Sequence, residues 1–291
     1  MTTVSHKEFS ALSSVEREAL LTLLEDEDAA VQQLLVDQLV SYGPSALEWL
    51  RPLLPGRSGI VRRRVELVEA QLKKRDYDRA FLEFCVGSEV ESDLEGGLWL
   101  LAQTEYPSIS VPGYRALVDS FAEVLRERLD GEEDGEGTFS VINHYLFEEL
   151  GLEGNEEDYY DPQNSFLNKV IDRRLGIPIS LSSLLLLLAS RLGLPLTGIG
   201  MPGHFLCRYQ TPREEFYIDV FNQGRILSRS ECVRFLSGSQ FGYRDEFLNP
   251  VSARSILLRF CRNLLQIYSE NQEANQAARF QRYVAALSRL R

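Results

Sequence analysis

The stretch that decides the fold is Asn164–Gly224, NSFLNKVIDRRLGIPISLSSLLLLLASRLGLPLTGIGMPGHFLCRYQTPREEFYIDVFNQG. Phe166 to Leu175 reads as a short helix with Ser165 or Asn164 as its cap. Gly176-Ile177-Pro178 is a turn, and Ser180 is placed to cap the next helix, which runs to about Arg191. That helix is apolar almost all round, so it is expected in the centre of the molecule. Gly193 and Pro195 end it. Leu196–Met201, His204–Tyr209 and Phe216–Val220 then alternate or run apolar as strands do, with Pro202-Gly203 and Thr211-Pro212 as the turns between them.

Two polar residues stand out in these strands. His204 opens one and Asp219 lies near the end of the next, a spacing that adjacent antiparallel strands bring together. A carboxylate on one imidazole nitrogen fixes the tautomer and leaves the other nitrogen as a general base. The nucleophile of such a system usually sits at the start of a buried helix, where the helix dipole lowers a thiol pKa. Here that place holds Pro178, Ile179, Ser180, Leu181 and Ser182, with no cysteine. Ser180 is the candidate substitute. A hydroxyl is far harder to ionise, so it needs His204 as base and an oxyanion hole. Asn164, Ser165 and Asn222 are candidate binding residues of the same cleft, with loop capping as their plainer role.

The flanks read as helical. Leu20, Leu21, Leu23 and Leu24 form an apolar cluster, followed by an acidic turn at 25–28. A helical pattern then runs from Val31 to Leu39, broken by Gly43-Pro44, and resumes through Leu47, Trp49, Leu50, Leu53 and Leu54. This is the layout of a HEAT-like hairpin, and Ile60 to Leu72 suggests one more helix. Residues 77–129 continue in helices, and GEEDGEG at 131–137 is an acidic loop without the ligand spacing of an EF-hand. From Ser255 to Arg291 the pattern resembles one tetratricopeptide-type hairpin, too little for an array.

Composition narrows the function classes. Of 291 residues 44% are hydrophobic, enough for a substantial core. The net charge of −12 argues against broad nucleic-acid binding, which needs a positive surface. Arg57, Arg62, Arg63 and Arg64 form a local basic run, read as a solvated helix face. The N-terminal residues lack a signal-type apolar core and no apolar run spans a bilayer, so a cytoplasmic location is expected. Cys85, Cys207, Cys232 and Cys261 are scattered without a CxxC pair. Buried thiols are therefore expected, and no disulfide framework, metal site or cofactor.

Several motifs together resemble the transglutaminase-like superfamily, and within it the SirB group of bacterial proteins. They are Tyr159-Tyr160-Asp161-Pro162, Asn164-Ser165-Phe166-Leu167, Arg174-Leu175-Gly176-Ile177-Pro178-Ile179, Pro202-Gly203-His204-Phe205 and Asp219 with Phe221-Asn222, with Glu105-Tyr106-Pro107 upstream. The resemblance covers roughly residues 95–270. It implies an α+β fold, with a papain- or transglutaminase-like core of a buried helix packed on a small antiparallel sheet. Helical extensions, HEAT-like at the N-terminus and tetratricopeptide-like at the C-terminus, flank that core. The expected boundaries are 1–90, 91–252 and 253–291. The resemblance puts His204 and Asp219 in the places of the triad His and Asp. It puts the cysteine near Pro178 to Ser180, where this chain has none, and members of the group often lack it. Val220 departs from the group's usual proline after Asp. The expected function is a non-catalytic or degenerate transglutaminase-like protein that binds a protein or peptide partner through the residual cleft and helical arms. The alternative is a serine-type hydrolase or acyltransferase on amide or ester bonds using Ser180, His204 and Asp219.

Overall fold

A computed structural model describes residues 9–131 and 134–289. Residues 1–8, on which part of the N-terminal expectation rests, and Glu132-Glu133 of the acidic loop lie outside the described residues. The chain divides into two compact units, Met1–Arg79 with Gln103–Ser108, and Ala80–Ala102 with Ile109–Arg291.

The first unit is helical. It contains α1 (Ser14–Leu23), α2 (Ala29–Tyr42), α3 (Pro44–Leu50) and the part of α4 (Gly59–Val86) up to Arg79. The starts of α1, α2 and α3 have local causes. Ser13 and Glu16 form a reciprocal capping box on α1, and Asp28 accepts from the Ala30 and Val31 amides at the start of α2. Gly43 takes φ 74°, which lets the chain turn directly into Pro44 at the first position of α3. Leu24, Leu39, Leu50 and Val68 form the centre of the core, and Trp49 packs against Phe9 with ring centroids 5.4 Å apart. The basic run is not one solvated face. Arg57 pairs with Glu25 at 3.1 Å, and Arg64 is buried, donating to the carbonyls of Leu24 and Asp26. A guanidinium carries five donors, so Arg64 satisfies carbonyls that the end of α1 leaves open.

The second unit holds the α+β core. Its helices are the end of α4, α5 (Leu94–Glu105) up to Ala102, α6 (Val111–Arg128), α7 (Gly135–Asn143) with a π-helical turn at His144–Glu149, α8 (Leu167–Arg173), α9 (Pro178–Leu192), α10 (Arg229–Gly238), α11 (Ala253–Glu270) and α12 (Ala274–Leu287). The short strands β1 (Glu153–Gly154) and β2 (Leu175–Gly176) pair in parallel. Four further strands form one antiparallel meander in the order β3 (Leu196–Ile199), β4 (Leu206–Gln210), β5 (Glu215–Asp219), β6 (Arg225–Leu227). Trp99 is buried, stacked on Tyr114 at 5.5 Å, and donates from Nε1 to Glu95 at 3.1 Å.

The apolar helix is where the sequence puts it. In α9 every residue from Pro178 to Leu185 is buried, as are Leu187, Leu188 and Ala189, and the helix packs on α6, α8, β3 and β4. A buried Leu of this kind typically contributes about 2–5 kcal/mol against truncation to Ala. Its start differs from the sequence expectation. The N-cap is Ile177, Pro178 is the first helical residue, and Ser180 sits one turn in. The Ser180 hydroxyl accepts from the Ile177 amide at 3.0 Å and donates to the Ile177 carbonyl at 3.1 Å. Ser180 thus caps backwards from inside the helix rather than from its N-cap position. The preceding helix is also shorter than expected. Asn164 and Ser165 belong to a 3-10 turn at Pro162–Ser165, Phe166 is the N-cap, and Arg174 at φ 62° ends α8, leaving Leu175 to β2.

The C-terminal pair α11 and α12 packs antiparallel within the second unit, with Phe280 between Tyr268 and Tyr283. Arg254 of α11 pairs with Glu91 and donates to the Cys85 carbonyl at 3.2 Å. No helix among the described residues is long and apolar enough to cross a membrane.

Candidate functional site

His204 follows a tight turn at Pro202-Gly203, in which Gly203 takes φ 76°. The turn is closed by the His204 amide donating to the Met201 carbonyl at 3.2 Å. Arg259 of α11 clamps it from outside the sheet, with Nη1 on the Met201 carbonyl at 2.8 Å and Nη2 on the His204 carbonyl at 3.0 Å. The same guanidinium lies over the Phe205 ring at 5.7 Å. Burial pulls the Arg259 pKa below its usual value, with Tyr159 acting against it. A planar fork suits this task, because two carbonyls on one turn accept from one rigid group.

Asp219 is the last residue of β5. Cys207 of β4 pairs with Ile218, and Asp219 pairs with Arg225 of β6, so the register carries the carboxylate to the end of the sheet where the His204 turn lies. His204 Nε2 and Asp219 Oδ1 are 2.9 Å apart. Nε2 is cut off from solvent and faces the Asp219 carboxylate. Asn222 completes the carboxylate shell. Its amide donates to Oδ1 at 3.3 Å and its Nδ2 to Oδ2 at 2.8 Å. Burial disfavours the Asp219 charge, but His204 and then Asn222 more than offset it and hold the carboxyl below its ordinary range.

The pair opens on a cleft of about 660 Å³ lined by Tyr159, Pro178, Met201, His204, Asp219, Phe221, Cys232 and Phe235, among others. Phe221 and Phe235 flank the imidazole with ring centroids at 6.4 and 6.1 Å. Phe235 is half exposed. Arg225 pairs with Glu231 at 3.6 Å on the same cleft. Among the described residues no group of three or more His, Cys, Asp or Glu is placed to hold a metal ion.

The candidate residues are only partly brought together. His204, Asp219 and Asn222 share the cleft. Pro178 represents the helix start there, and Ser180 does not line it. Ser180 is 1% exposed with its hydroxyl spent on Ile177. Asn164 is buried and holds the adjacent loop instead: Nδ2 donates to the carbonyls of Asp158 at 2.7 Å and Tyr159 at 3.3 Å, while Oδ1 accepts from Asn155 at 3.0 Å. Ser165 is buried beside it with an unpartnered hydroxyl. Asn164 therefore acts on the cleft through Tyr159, which lines it.

One lining residue escapes a reading of the sequence. Cys232 of α10 reaches the cleft wall although it lies far from the helix start in sequence. It packs with Met201, Tyr217 and Leu236. Burial, reinforced by Glu231 and Asp219, pushes its thiol up to about 11. The other thiols are raised by burial too, Cys85 and Cys207 to about 12 and Cys261 well above its usual value. Such thiols are inert, because the thiolate is the nucleophile.

A buried helix whose first turn meets a strand-borne His–Asp pair defines a class, the papain-like architecture of transglutaminases. A profile described as the transglutaminase-like superfamily matches residues 113–262, just over half of the chain, and the chain belongs to that superfamily. A UPF0162 protein of Xylella fastidiosa is 40% identical over 186 residues, covering 62% of this chain and 66% of the relative. A UPF0162 protein of Vibrio cholerae is 39% identical over 121 residues, 40% of this chain and 44% of the relative. Human F-box only protein 21 is 30% identical over 218 residues, 65% of this chain and 34% of that protein. The chain thus spans just under two thirds of the length of the Xylella relative it matches, and about a third of the human one. No solved structure matches the chain significantly.

Proposed function

We propose that this protein is a degenerate transglutaminase-like protein, without thiol catalysis, that uses the residual cleft to hold a peptide segment of a protein partner. The observation that carries the proposal is the identity of the helix residue on the cleft. Pro178 lines it with His204 and Asp219. Proline has no acidic side-chain proton and no amide hydrogen, so this position supplies neither a nucleophile nor a backbone donor. Cys232 does not replace it, since a thiol at about 11 is thiolate in only about one molecule in ten thousand at pH 7. What the cleft retains is recognition chemistry: three aromatic side chains, an imidazole and a carboxylate held in its charged form. Mostly apolar clefts with a few placed polar groups are the usual form of a binding pocket. The helical arms outside residues 91–252 offer further docking surface. The serine-enzyme alternative has less support, because the Ser180 hydroxyl is turned onto its own helix start.

The test is covalent labelling of the full chain. A fluorophosphonate probe is expected to leave it unlabelled. Iodoacetamide is expected to modify no cysteine in the native protein and all four in denaturant. Labelling that disappears in Ser180→Ala or His204→Ala would overturn the proposal. On the binding side, a peptide selected against the full chain should lose about tenfold in affinity with Phe235→Ala, roughly the loss of one aromatic contact.

A further inference from the structure

A second cavity of about 680 Å³ adjoins the His204 cleft, and Phe221 and Asn222 line both. The two differ in charge. Arg225 and Arg234 line only the first, where Glu231 answers them. Glu153, Glu156 and Glu157 line only the second, and no Lys or Arg lines it with them. All three glutamates are exposed, and none makes an ion pair among the described residues. They are not placed as a metal-ligand set. The loop presenting them is fixed: Asn155 accepts from the Asp158 amide at 3.0 Å and donates to Asn164, and Gly154 and Leu175 join the paired strands β1 and β2 at its base. Gly154 has a reason of its own, since a Cβ there would fall 2.6 Å from the Phe221 ring that separates the two cavities.

Resting on the peptide-binding proposal, we infer that the occupant is a peptide segment with an apolar side chain in the aromatic cleft and a Lys or Arg a few residues away in the Glu153–Glu157 cavity. The two arginines on the first cleft are balanced by Asp219 and Glu231, whereas the three glutamates on the second stand unbalanced and draw a basic residue across Phe221 and Asn222. An extended chain crosses such a partition readily, advancing about 3.3 Å per residue. Charge complementarity of this kind sets orientation and specificity as much as affinity.

The experiment uses the full chain and fluorescent Gly/Ser peptides bearing one Leu or Phe and one Lys placed one to four positions away on either side, with Gln-for-Lys partners. Fluorescence polarisation at low salt is the readout. One placement of Lys is expected to bind about tenfold more tightly than its Gln partner. The Glu153→Gln, Glu156→Gln, Glu157→Gln variant should bring that ratio to near unity while leaving the Gln peptide unchanged, and about 0.5 M salt should act in the same direction. Binding with no preference for Lys, or a preference that survives the triple substitution, would overturn the inference and leave the peptide cleft standing. Binding of no peptide by a chain whose circular dichroism is native would remove the peptide cleft itself. The three glutamates are exposed, so the triple variant keeps its fold, which a thermal melt verifies.

Discussion

Asp219 has one carboxylate oxygen 2.9 Å from His204 and the other 2.8 Å from Asn222 Nδ2. Its folded pKa lies below the ordinary 3.8. The unfolded chain therefore takes up the proton first as pH falls, and stability rises with pH across that range. The contribution is fully present above about pH 4 and is lost as the pH falls through the lower folded value. Asp219→Asn is expected to cost about 2 kcal/mol at pH 7, from a buried hydrogen-bonded group left mispaired. The gap between wild type and variant should narrow below about pH 4, as read by urea unfolding at several pH values. Two glycines near the site separate strain from crowding. At Gly203, φ 76° with open space around it, Gly203→Ala should cost only about 1–2 kcal/mol of left-handed strain. At Gly224, φ 70°, a Cβ would fall 2.0 Å from Asn143 Oδ1, and Asn143 Nδ2 already donates to the Gly224 carbonyl at 2.8 Å. Gly224→Ala should cost at least about 1 kcal/mol more than Gly203→Ala in the same assay, because side-chain overlap adds to the strain.

At the scale of the element, α9 and strands β3 to β5 were legible because length, apolar run and turn residues agree there. Strand β6 was not, since Arg225-Ile226-Leu227 is too short to alternate and exists by pairing with β5. Helix α10 carries Cys232 and Phe235 to the cleft through tertiary packing, and local sequence has no signal for that. The start of α9 was readable to within three residues, and that offset decides the chemistry: Pro178 lines the cleft and Ser180 does not. This gives a sharp expectation for Pro178→Cys. A thiol in the first turn of a helix, on the same cleft as His204, gains from the helix dipole and the imidazole. Its alkylation by iodoacetamide at pH 7, followed by mass spectrometry, should be at least about tenfold faster than that of any native cysteine. The reaction should slow when His204→Ala is added to the same chain. If the introduced thiol proves as inert as the native four, Pro178 does not belong to the cleft wall.

At the scale of the whole molecule, the superfamily match at 113–262 lies inside the second compact unit. That unit has its own buried helix, sheet and aromatic clusters, including Phe139 against Tyr209 and Phe216. A chain shortened to begin at Ala80 is expected to unfold in one cooperative thermal transition by circular dichroism and to keep the inert thiols. A broad, non-cooperative melt would mean that the residues before Ala80 are required for the core. The net charge of −12 bears on partners at this scale too. An acidic chain favours basic peptides at a distance, so their association should slow as salt rises.

The chain has two tryptophans, Trp49 against Phe9 and Trp99 against Tyr114, and each compact unit holds one. The protein thus carries a separate optical reporter for each half. With Trp49→Phe the remaining emission follows the transglutaminase-like unit, and with Trp99→Phe it follows the helical one. Superimposed melting curves from the two variants would describe one cooperative molecule, and separated curves two bodies that share a chain.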